Sequence, residues 1–454
     1  MATFYVHNFG CRATQADGAS VERDLLAHGL TRASSAREAE VLVLNTCTVT
    51  AEADRDARAA IRRAHRENPG CRIFVTGCYA QRAPQELRAL PGVSCVVGNT
   101  HKHQIGEILH QNCHPERSAT ERSEGPRVEG PLFPAATLAA TYVGNIFAHT
   151  ELLAAPVFDG LGYDKTRPNL KVQDGCDNRC SFCIIPFVRG QSRSLRRDDV
   201  LREMDALVAA GFREVVISGI NLGRWGRDFD PPSRFEDLVR AILEHTGIER
   251  LRLSSIEPMD WSDELIDLVA GSRRIARHAH VPLQTGSDRI LRLMHRKYRP
   301  WHYEERIRRI RAAMPTAAIG ADVMVGFPGE TDADFEENCR FIASLPFTYL
   351  HVFTYSARSG TPAADMPHQV APETKRERNR VLRELAAGKK TAFMQSLVGQ
   401  TISTITLSVI ENGRTETLTD NYQKLWLEGA HPSNQFMAVR VERCAADALI
   451  GAAQ

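Results

Sequence analysis

The sequence predicts an α/β protein in three parts: an N-terminal open, mainly parallel sheet, a central barrel of βα units, complete or partial, and a small C-terminal β-barrel. Three observations lead there. Short apolar runs alternate with helical periodicity through about residue 110, and the same alternation resumes over residues 169–391. From about residue 393 the chain turns to short β runs punctuated by Asn412-Gly413 and Pro432-Ser433-Asn434. At 454 residues, two or three domains are expected.

In the first part, residues 1–110, strands are read at Phe4-Tyr5-Val6, Val41-Leu42-Val43-Leu44 and Ile73-Phe74-Val75, with helices at 18–28 and 54–67 between them. Each strand is followed by a cysteine: Cys11, Cys47 and Cys78. The carboxyl ends of parallel strands gather on one edge of a sheet, where ligand sites form. Three dispersed cysteines are thereby able to converge; the alternative is three small buried residues. Residues 113–131 are charged, turn-rich and almost without apolar side chains, too little to offset the cost of ordering. Residues 111–160 therefore read as a linker or insertion, partly disordered, and Cys113 as a stray exposed thiol.

The central part, residues 161–391, has strand runs at 214–218, 250–254, 279–283, 319–325 and 350–355, with helical periodicity at 196–211, 235–246 and 331–345. In parallel barrels chemistry sits at the carboxyl ends of strands. A first strand ending at Val172 leads into Cys176, Cys180 and Cys183, spaced C-x3-C-x2-C. Three thiolates on one short loop can hold three irons of a [4Fe-4S] cube and leave the fourth open to a substrate or cofactor. A structural zinc would want four ligands, and the next His and Cys are His245 and Cys339. Zinc and inert buried thiols remain the alternatives. Residues 392–454 offer β runs at 401–409, 415–419, 424–428 and 436–443, enough for five or so short strands of a barrel.

Composition narrows the class. A formal net charge of +2 does not announce a nucleic-acid protein, so any RNA surface must be a local patch. One basic run comprises Arg292, His295, Arg296, Lys297, Tyr298, Arg299, Trp301, His302, Tyr303, Arg306, Arg308, Arg309 and Arg311, where cations suit phosphates and aromatics suit splayed bases; an exposed Arg-rich helix face is the plainer reading. A second patch, Arg189, Arg193, Arg196 and Arg197, follows the three-cysteine loop. Eleven cysteines, odd in number and sparse, make a poor disulfide framework and point to a reducing, cytoplasmic compartment. Neither a signal peptide nor an apolar run long enough to span a bilayer is read, so no membrane partner is expected.

The three-cysteine loop resembles the signature of the radical S-adenosylmethionine (SAM) enzymes. Gln173-Asp174-Gly175-Cys176-Asp177-Asn178 with Ile184-Ile185-Pro186-Phe187-Val188-Arg189-Gly190, then Pro282-Leu283-Gln284-Thr285-Gly286-Ser287-Asp288 and Asp322-Val323-Met324-Val325-Gly326-Phe327-Pro328-Gly329-Glu330-Thr331, are similar to blocks of the methylthiotransferase family. So are the segments around Cys11, Cys47 and Cys78. The resemblance implies an incomplete (β/α)6 barrel, SAM chelated at the open iron of the Cys176, Cys180 and Cys183 cluster, and a second, auxiliary [4Fe-4S] cluster on Cys11, Cys47 and Cys78. It implies a SAM and substrate pocket involving Phe182, Ser218, Gly219, Gln284, Asp322 and Gly326. The C-terminal part resembles the TRAM domain, a tRNA-binding module.

Within the family, Asn45-Thr46-Cys47-Thr48-Val49-Thr50 with Ala53-Asp54-Arg55 and Ile61-Arg62-Arg63-Ala64 looks most like the branch acting on N6-threonylcarbamoyladenosine in tRNA, next to the anticodon. Ala13, Thr14 and Asn221, where that branch commonly has other residues and a His at the last, depart from it. The other branches act on N6-isopentenyladenosine in tRNA or on a ribosomal-protein aspartate; a non-catalytic iron–sulfur RNA-binding or redox protein is the competing class. The expected reaction is 2-methylthiolation of the adenine, initiated by a SAM-derived radical. It implies tRNA (the anticodon stem-loop), an electron donor such as flavodoxin or ferredoxin, and a sulfur donor as partners. A threonylcarbamoyl carboxylate wants a cationic or amide partner, for which Arg189 and Arg193, beside the three-cysteine loop, are the candidates; Arg296, Lys297 and Arg299 of the basic run are further candidate substrate residues.

Overall fold

Side chains alternate across each strand of the N-terminal sheet and so divide between two apolar layers. Phe4, Val6, Val41 and Val43 pack with Val21 and Leu25 of helix Arg12–Ala27 and with Ile105, Ile108 and Leu109. Leu42 and Leu44 point the other way, onto Ala57 and Ile61 of helix Ala51–Glu67. A strand buried on both faces reads as a continuous apolar run, as residues 41–44 do. The sheet comprises β1 (Thr3–Asn8), β2 (Thr31–Arg32), β3 (Val41–Thr46), β4 (Arg72–Gly77), β5 (Val93–Val97) and β6 (Ala140–Tyr142), ordered β2-β1-β3-β4-β5-β6 with every pairing parallel.

The structure, a computed structural model, describes residues 2–113, 139–148, 152 and 166–454. It divides into two units, Met1–Phe158 with Ile184–Gln191, and Asp159–Cys183 with Ser192–Gln454. Most of the 111–160 linker reading, with the side chain of Cys113, lies outside the described residues. Ala140–Tyr142, within that stretch, adds the sixth strand by pairing with β5. Three residues are too short a run for periodicity to signal.

The second unit holds β7 (Asn169–Asp174), β8 (Arg193–Ser194), β9 (Glu214–Gly219), β10 (Arg250–Leu253), β11 (His278–His280), β12 (Ala318–Val325) and β13 (Tyr349–Thr354). β7, β9 and β10 run parallel in one sheet, with β8 antiparallel on the outer edge of β7; β11, β12 and β13 form a second parallel sheet. A parallel bridge from Leu251 to Ile275 joins β10 to the segment entering β11. Six parallel strands thus follow one another in chain order without closing, the incomplete (β/α)6 arrangement. After helix Pro372–Ser396 come β14 (Thr401–Glu411), β15 (Arg414–Thr419), β16 (Lys424–Glu428), β17 (Phe436–Ala445) and β18 (Ala448–Ala453), a closed barrel ordered β14-β15-β16-β18-β17. Asn412 and Gly413, both at positive φ, make the β14–β15 turn, as an Asn-Gly pair favours. Sequence pattern does not signal β18, because Ala-Leu-Ile-Gly-Ala-Ala lacks β-branched alternation.

A buried charge network ties this barrel to β10. Arg252 donates from Nε to Glu214 Oε1 (2.9 Å) and from its two terminal nitrogens to the carbonyls of Asp420 and Thr419 (3.2 Å each). Burial alone would raise the carboxyl pKa of Glu214, but Arg252, with Arg167 and Arg250 behind it, reverses the effect and lowers it. A depressed carboxyl contributes stability above its unfolded pKa that is lost as pH falls through the folded value. Arg252→Met is accordingly expected to cost about 3 kcal/mol at neutral pH by uncovering a buried carboxylate. Urea unfolding should show the deficit shrinking as Glu214 protonates in acid; a deficit independent of pH would contradict this account.

Candidate functional site

Asn8, Asn45 and Thr76 stand level across β1, β3 and β4. Cys11, Cys47 and Cys78, two or three residues beyond them, are thereby delivered to one edge. Asn45 Nδ2 donates to Asn8 Oδ1 (2.9 Å) and to the Thr14 carbonyl (2.7 Å), and Thr46 Oγ1 donates to the Thr76 carbonyl (2.6 Å), fixing the three ends to one another. A Cβ on Gly10 would sit 3.0 Å from Cys47 Sγ, so the turn carrying Cys11 lies directly against Cys47. Burial pushes the Cys47 thiol up to about 12, and Cys78 and Cys11 act on it in the same direction. Asn99 Nδ2 approaches Cys78 Sγ at 3.7 Å. Cys47 and Cys78 are buried and Cys11 is exposed. Soft sulfur donors gathered in this way fit an iron–sulfur cluster.

Gly77 makes the approach of β4 possible: its φ is +97°, and a Cβ there would lie 2.3 Å from the Thr46 carbonyl oxygen. Gly77→Ala should impose about 1–3 kcal/mol of backbone strain besides that clash and displace Cys78. The expected result is loss of the iron attributable to the first triad, read by iron assay. A variant that keeps its full iron would refute the convergence.

In the second unit, Gln173 organises the loop that follows β7. Its Nε2 donates to the carbonyls of Asp174 (3.0 Å) and Gly175 (2.9 Å), and its Oε1 accepts from the Asn221 backbone N–H (2.7 Å). Gly175 turns the chain at φ +74°. Ser181 is fixed by its N–H to the Met294 carbonyl (3.1 Å) and its hydroxyl to the Leu293 carbonyl (2.7 Å). Phe182 meets Phe327 edge to face at 6.4 Å. Two sulfurs receive donors: Asn221 Nδ2 to Cys176 (3.7 Å) and Arg296 Nη1 to Cys180 (3.2 Å). Hydrogen bonds of this kind tune sulfur ligands of a cluster. Burial, the largest influence, raises the Cys176 thiol to about 11.

At the carboxyl ends of the neighbouring strands, Ser218 Oγ, Ser254 Oγ and Asn221 Oδ1 are buried with no hydrogen-bond partner. Ordered water or a polar ligand would satisfy such atoms, and they fit a cofactor such as SAM beside the loop. Gln284 adopts φ +71°, uncommon for a residue with a Cβ, and donates its N–H to the Asp322 carbonyl (2.8 Å). Asp322 Oδ1 lies 3.4 Å from His280 Nε2. Gly326 has φ +73°, whereas Gly219 packs against Gln173. A narrow cavity beside Cys180 is lined by Asn178, Glu257, Met259, Arg296 and Lys297, among others.

The basic residues disperse. Arg296 is buried, paired with Glu257 and Cys180. Arg189 pairs with Asp17 in the first unit, while Arg193 is buried on β8 in the second. Arg299 and Arg292 share Asp288; Arg306 and Arg309 reach Asp263, Arg308 reaches Glu304, and Arg311 donates to backbone carbonyls. Lys297 is exposed on the cavity wall, and Arg196 and Arg197 are exposed. Sequence reasoning missed Asn99, Glu257 and the sulfur-donor role of Arg296, which no local spacing signals.

Residues 3–98 match the model of uncharacterized protein family UPF0004, and residues 170–342 match that of the radical SAM superfamily. The threonylcarbamoyladenosine tRNA methylthiotransferase MtaB of Bacillus subtilis (strain 168) is 36% identical over 435 residues, 94% of this chain and 91% of that protein. This chain belongs to the tRNA methylthiotransferase family. Another relative, from Aquifex aeolicus (strain VF5) and of the same name, is 38% identical, covering 92% of this chain and 95% of its own. The family also includes the tRNA-2-methylthio-N(6)-dimethylallyladenosine synthase of Desulforamulus reducens, 34% identical over 84% of this chain and 79% of that protein. The radical SAM methyltransferase TsrM of Kitasatospora setae shares the fold, with TM-score 0.56 at 15% identity over 80% of this chain and 74% of that one.

Proposed function

We propose that this methylthiotransferase converts N6-threonylcarbamoyladenosine next to the anticodon of tRNA to its 2-methylthio derivative. Two separate cysteine triads, each at the carboxyl ends of parallel strands, carry the reading, in a chain whose threonylcarbamoyladenosine-specific relatives match along almost its whole length. Cys176, Cys180 and Cys183 would hold one [4Fe-4S] cluster together with SAM, and Cys11, Cys47 and Cys78 the auxiliary one. When bound, these groups supply a radical able to remove an unactivated hydrogen and the sulfur that replaces it, which no side chain can do.

The protein's own residues position and insulate that chemistry. Asn221 and Arg296 direct N–H groups at the cluster sulfurs, and Phe182 buries the loop against Phe327. Ser218, Gly219, Gln284, Asp322 and Gly326 would bound the SAM pocket. For the substrate carboxylate, exposed Lys297 on the cavity wall is the favoured partner; Arg296 is already engaged with Glu257. The C-terminal barrel would bind tRNA as a TRAM-like module. A flavodoxin- or ferredoxin-like reductant and a sulfur donor are required for turnover, and the cytoplasm, where tRNA is modified, is the natural compartment. Among the described residues no helix is long and apolar enough to cross a membrane. Anaerobically reconstituted protein given SAM and a strong reductant is expected to release 5′-deoxyadenosine; failure to do so with iron loaded would defeat the enzymatic reading.

A further inference from the structure

Side chains of β11, β12 and β13 alternate between two faces of their sheet. Ala279, Ile319, Ala321, Val323 and Val325 are fully buried on one. The other carries His278, His280, Asp322 and His351, with His280 level with Gly320, Gly320 with Tyr349, and Asp322 with His351. Gly320 leaves a space that the Tyr349 ring fills, since a Cβ there would lie 1.9 Å from Tyr349 Cζ. The Tyr349 hydroxyl and His278 Nε2 are hydrogen-bonded at 2.7 Å. The same ring stacks on His280 (6.0 Å, 15°) and meets His351 edge to face (5.3 Å, 66°). Two imidazoles are thereby held against one fixed ring beside the Asp322 carboxylate, whose backbone is tied down by the Leu283 and Gln284 N–H groups on its carbonyl (3.1 and 2.8 Å).

One donor atom from each of His280, Asp322 and His351 lies within 4.8 Å of the other two. His280 Nε2 stands 3.4 Å from Asp322 Oδ1, which matches the edge of a tetrahedral site with donors about 2.1 Å from the ion. Donors at that distance from one ion are at most about 4.2 Å apart, so small side-chain rotations close the set. A His–Asp pair alone leaves the arrangement incomplete: His280 Nε2 is buried and finds no hydrogen-bond partner among the described residues, and a bound ion would take up its lone pair. His280 is 11% exposed and Asp322 28%, while His351 is exposed, so an ion reaches the site without unfolding. Two imidazoles and one carboxylate suit a dication such as zinc or iron(II), not the all-oxygen shells of calcium or magnesium. We propose that His280, Asp322 and His351 form a mononuclear site for a divalent transition metal, distinct from the two cysteine triads. Three protein ligands leave a position for water or for an oxygen of a molecule bound in the barrel. Asp322 then borders the SAM pocket as a metal ligand.

The test uses the full chain, reconstituted anaerobically with iron and sulfide, freed of loose metal by a chelator and then equilibrated with zinc as the probe. Elemental mass spectrometry counts zinc and iron in the same samples of the unsubstituted protein, His351→Leu and Asp322→Asn. X-ray absorption at the zinc edge reads the ligands. The expected result is about one zinc per chain with nitrogen and oxygen donors at about 2.0–2.1 Å and no sulfur at about 2.3 Å, where a cysteine site would show it. Both variants should lose the zinc and keep their iron. No retained zinc, zinc retained in either variant, or sulfur in its shell overturns the proposal. Should a variant lose iron along with zinc, the absorption edge of the unsubstituted protein decides. Absence of zinc from iron-loaded protein defeats this site alone and leaves the methylthiotransferase reading standing, whereas a protein that takes zinc but no iron defeats the cluster reading and not this one.

Discussion

Replacing Cys176, Cys180 and Cys183 together by Ala is expected to remove one of about two [4Fe-4S] clusters per chain and to abolish SAM cleavage. The loop after β7 depends on Gln173 and Ser181 for its shape, and neither contact needs the sulfurs. The variant should therefore fold and keep the iron held by Cys11, Cys47 and Cys78, which belong to the other unit. Iron and sulfide assays after anaerobic reconstitution read the count, and 5′-deoxyadenosine release reads the chemistry. Loss of both clusters, or retention of both, would refute the assignment of the triads. Cys71 and Cys95 are buried, Cys95 within the apolar layer beneath the N-terminal sheet, with burial raising its thiol to about 12. Their replacement, like that of Cys339, Cys444 and Cys113, should leave iron content unchanged.

A strain lacking this protein is expected to lose 2-methylthio-N6-threonylcarbamoyladenosine from its tRNA completely while retaining the unthiolated nucleoside. The enzyme acts after the threonylcarbamoyl group is in place, so its absence cannot remove the precursor. Discrimination between the branches falls on a carboxylate that the isopentenyl substrate lacks, and a site built to pair with such a group rejects an analogue without it strongly. Mass spectrometry of tRNA nucleosides reads the outcome directly. Disappearance of 2-methylthio-N6-isopentenyladenosine instead would move the chain to the branch represented by the Desulforamulus reducens relative, and no change in either nucleoside would remove it from both.

What the residues reveal unaided is the part governed by local rules. A continuous apolar run marks the strand at Val41-Leu42-Val43-Leu44 because both its faces are buried, and the C-x3-C-x2-C spacing marks a candidate cluster loop because its three cysteines lie within eight residues. The Asn412-Gly413 turn is equally legible, since few other pairs accept two positive φ angles. That Cys11, Cys47 and Cys78 stand just beyond the ends of the adjacent strands β1, β3 and β4 is likewise legible, because parallel strands in register end on the same edge.

Charge, by contrast, is assigned by tertiary structure. In the sequence, Arg189, Arg193, Arg296, Arg306 and Arg309 are equivalent cations available to phosphate or carboxylate. Folding gives Arg296 to Glu257 and a cysteine sulfur, Arg189 to Asp17, and Arg306 and Arg309 to Asp263, leaving Lys297 exposed at the cavity. Arg296 and Glu257 are 39 residues apart along the chain, and Arg189 and Asp17 are 172 apart. Hydrophobic pattern is a property of neighbours in sequence, whereas the energy of an ion depends on which opposite charge and how much water the completed fold places beside it.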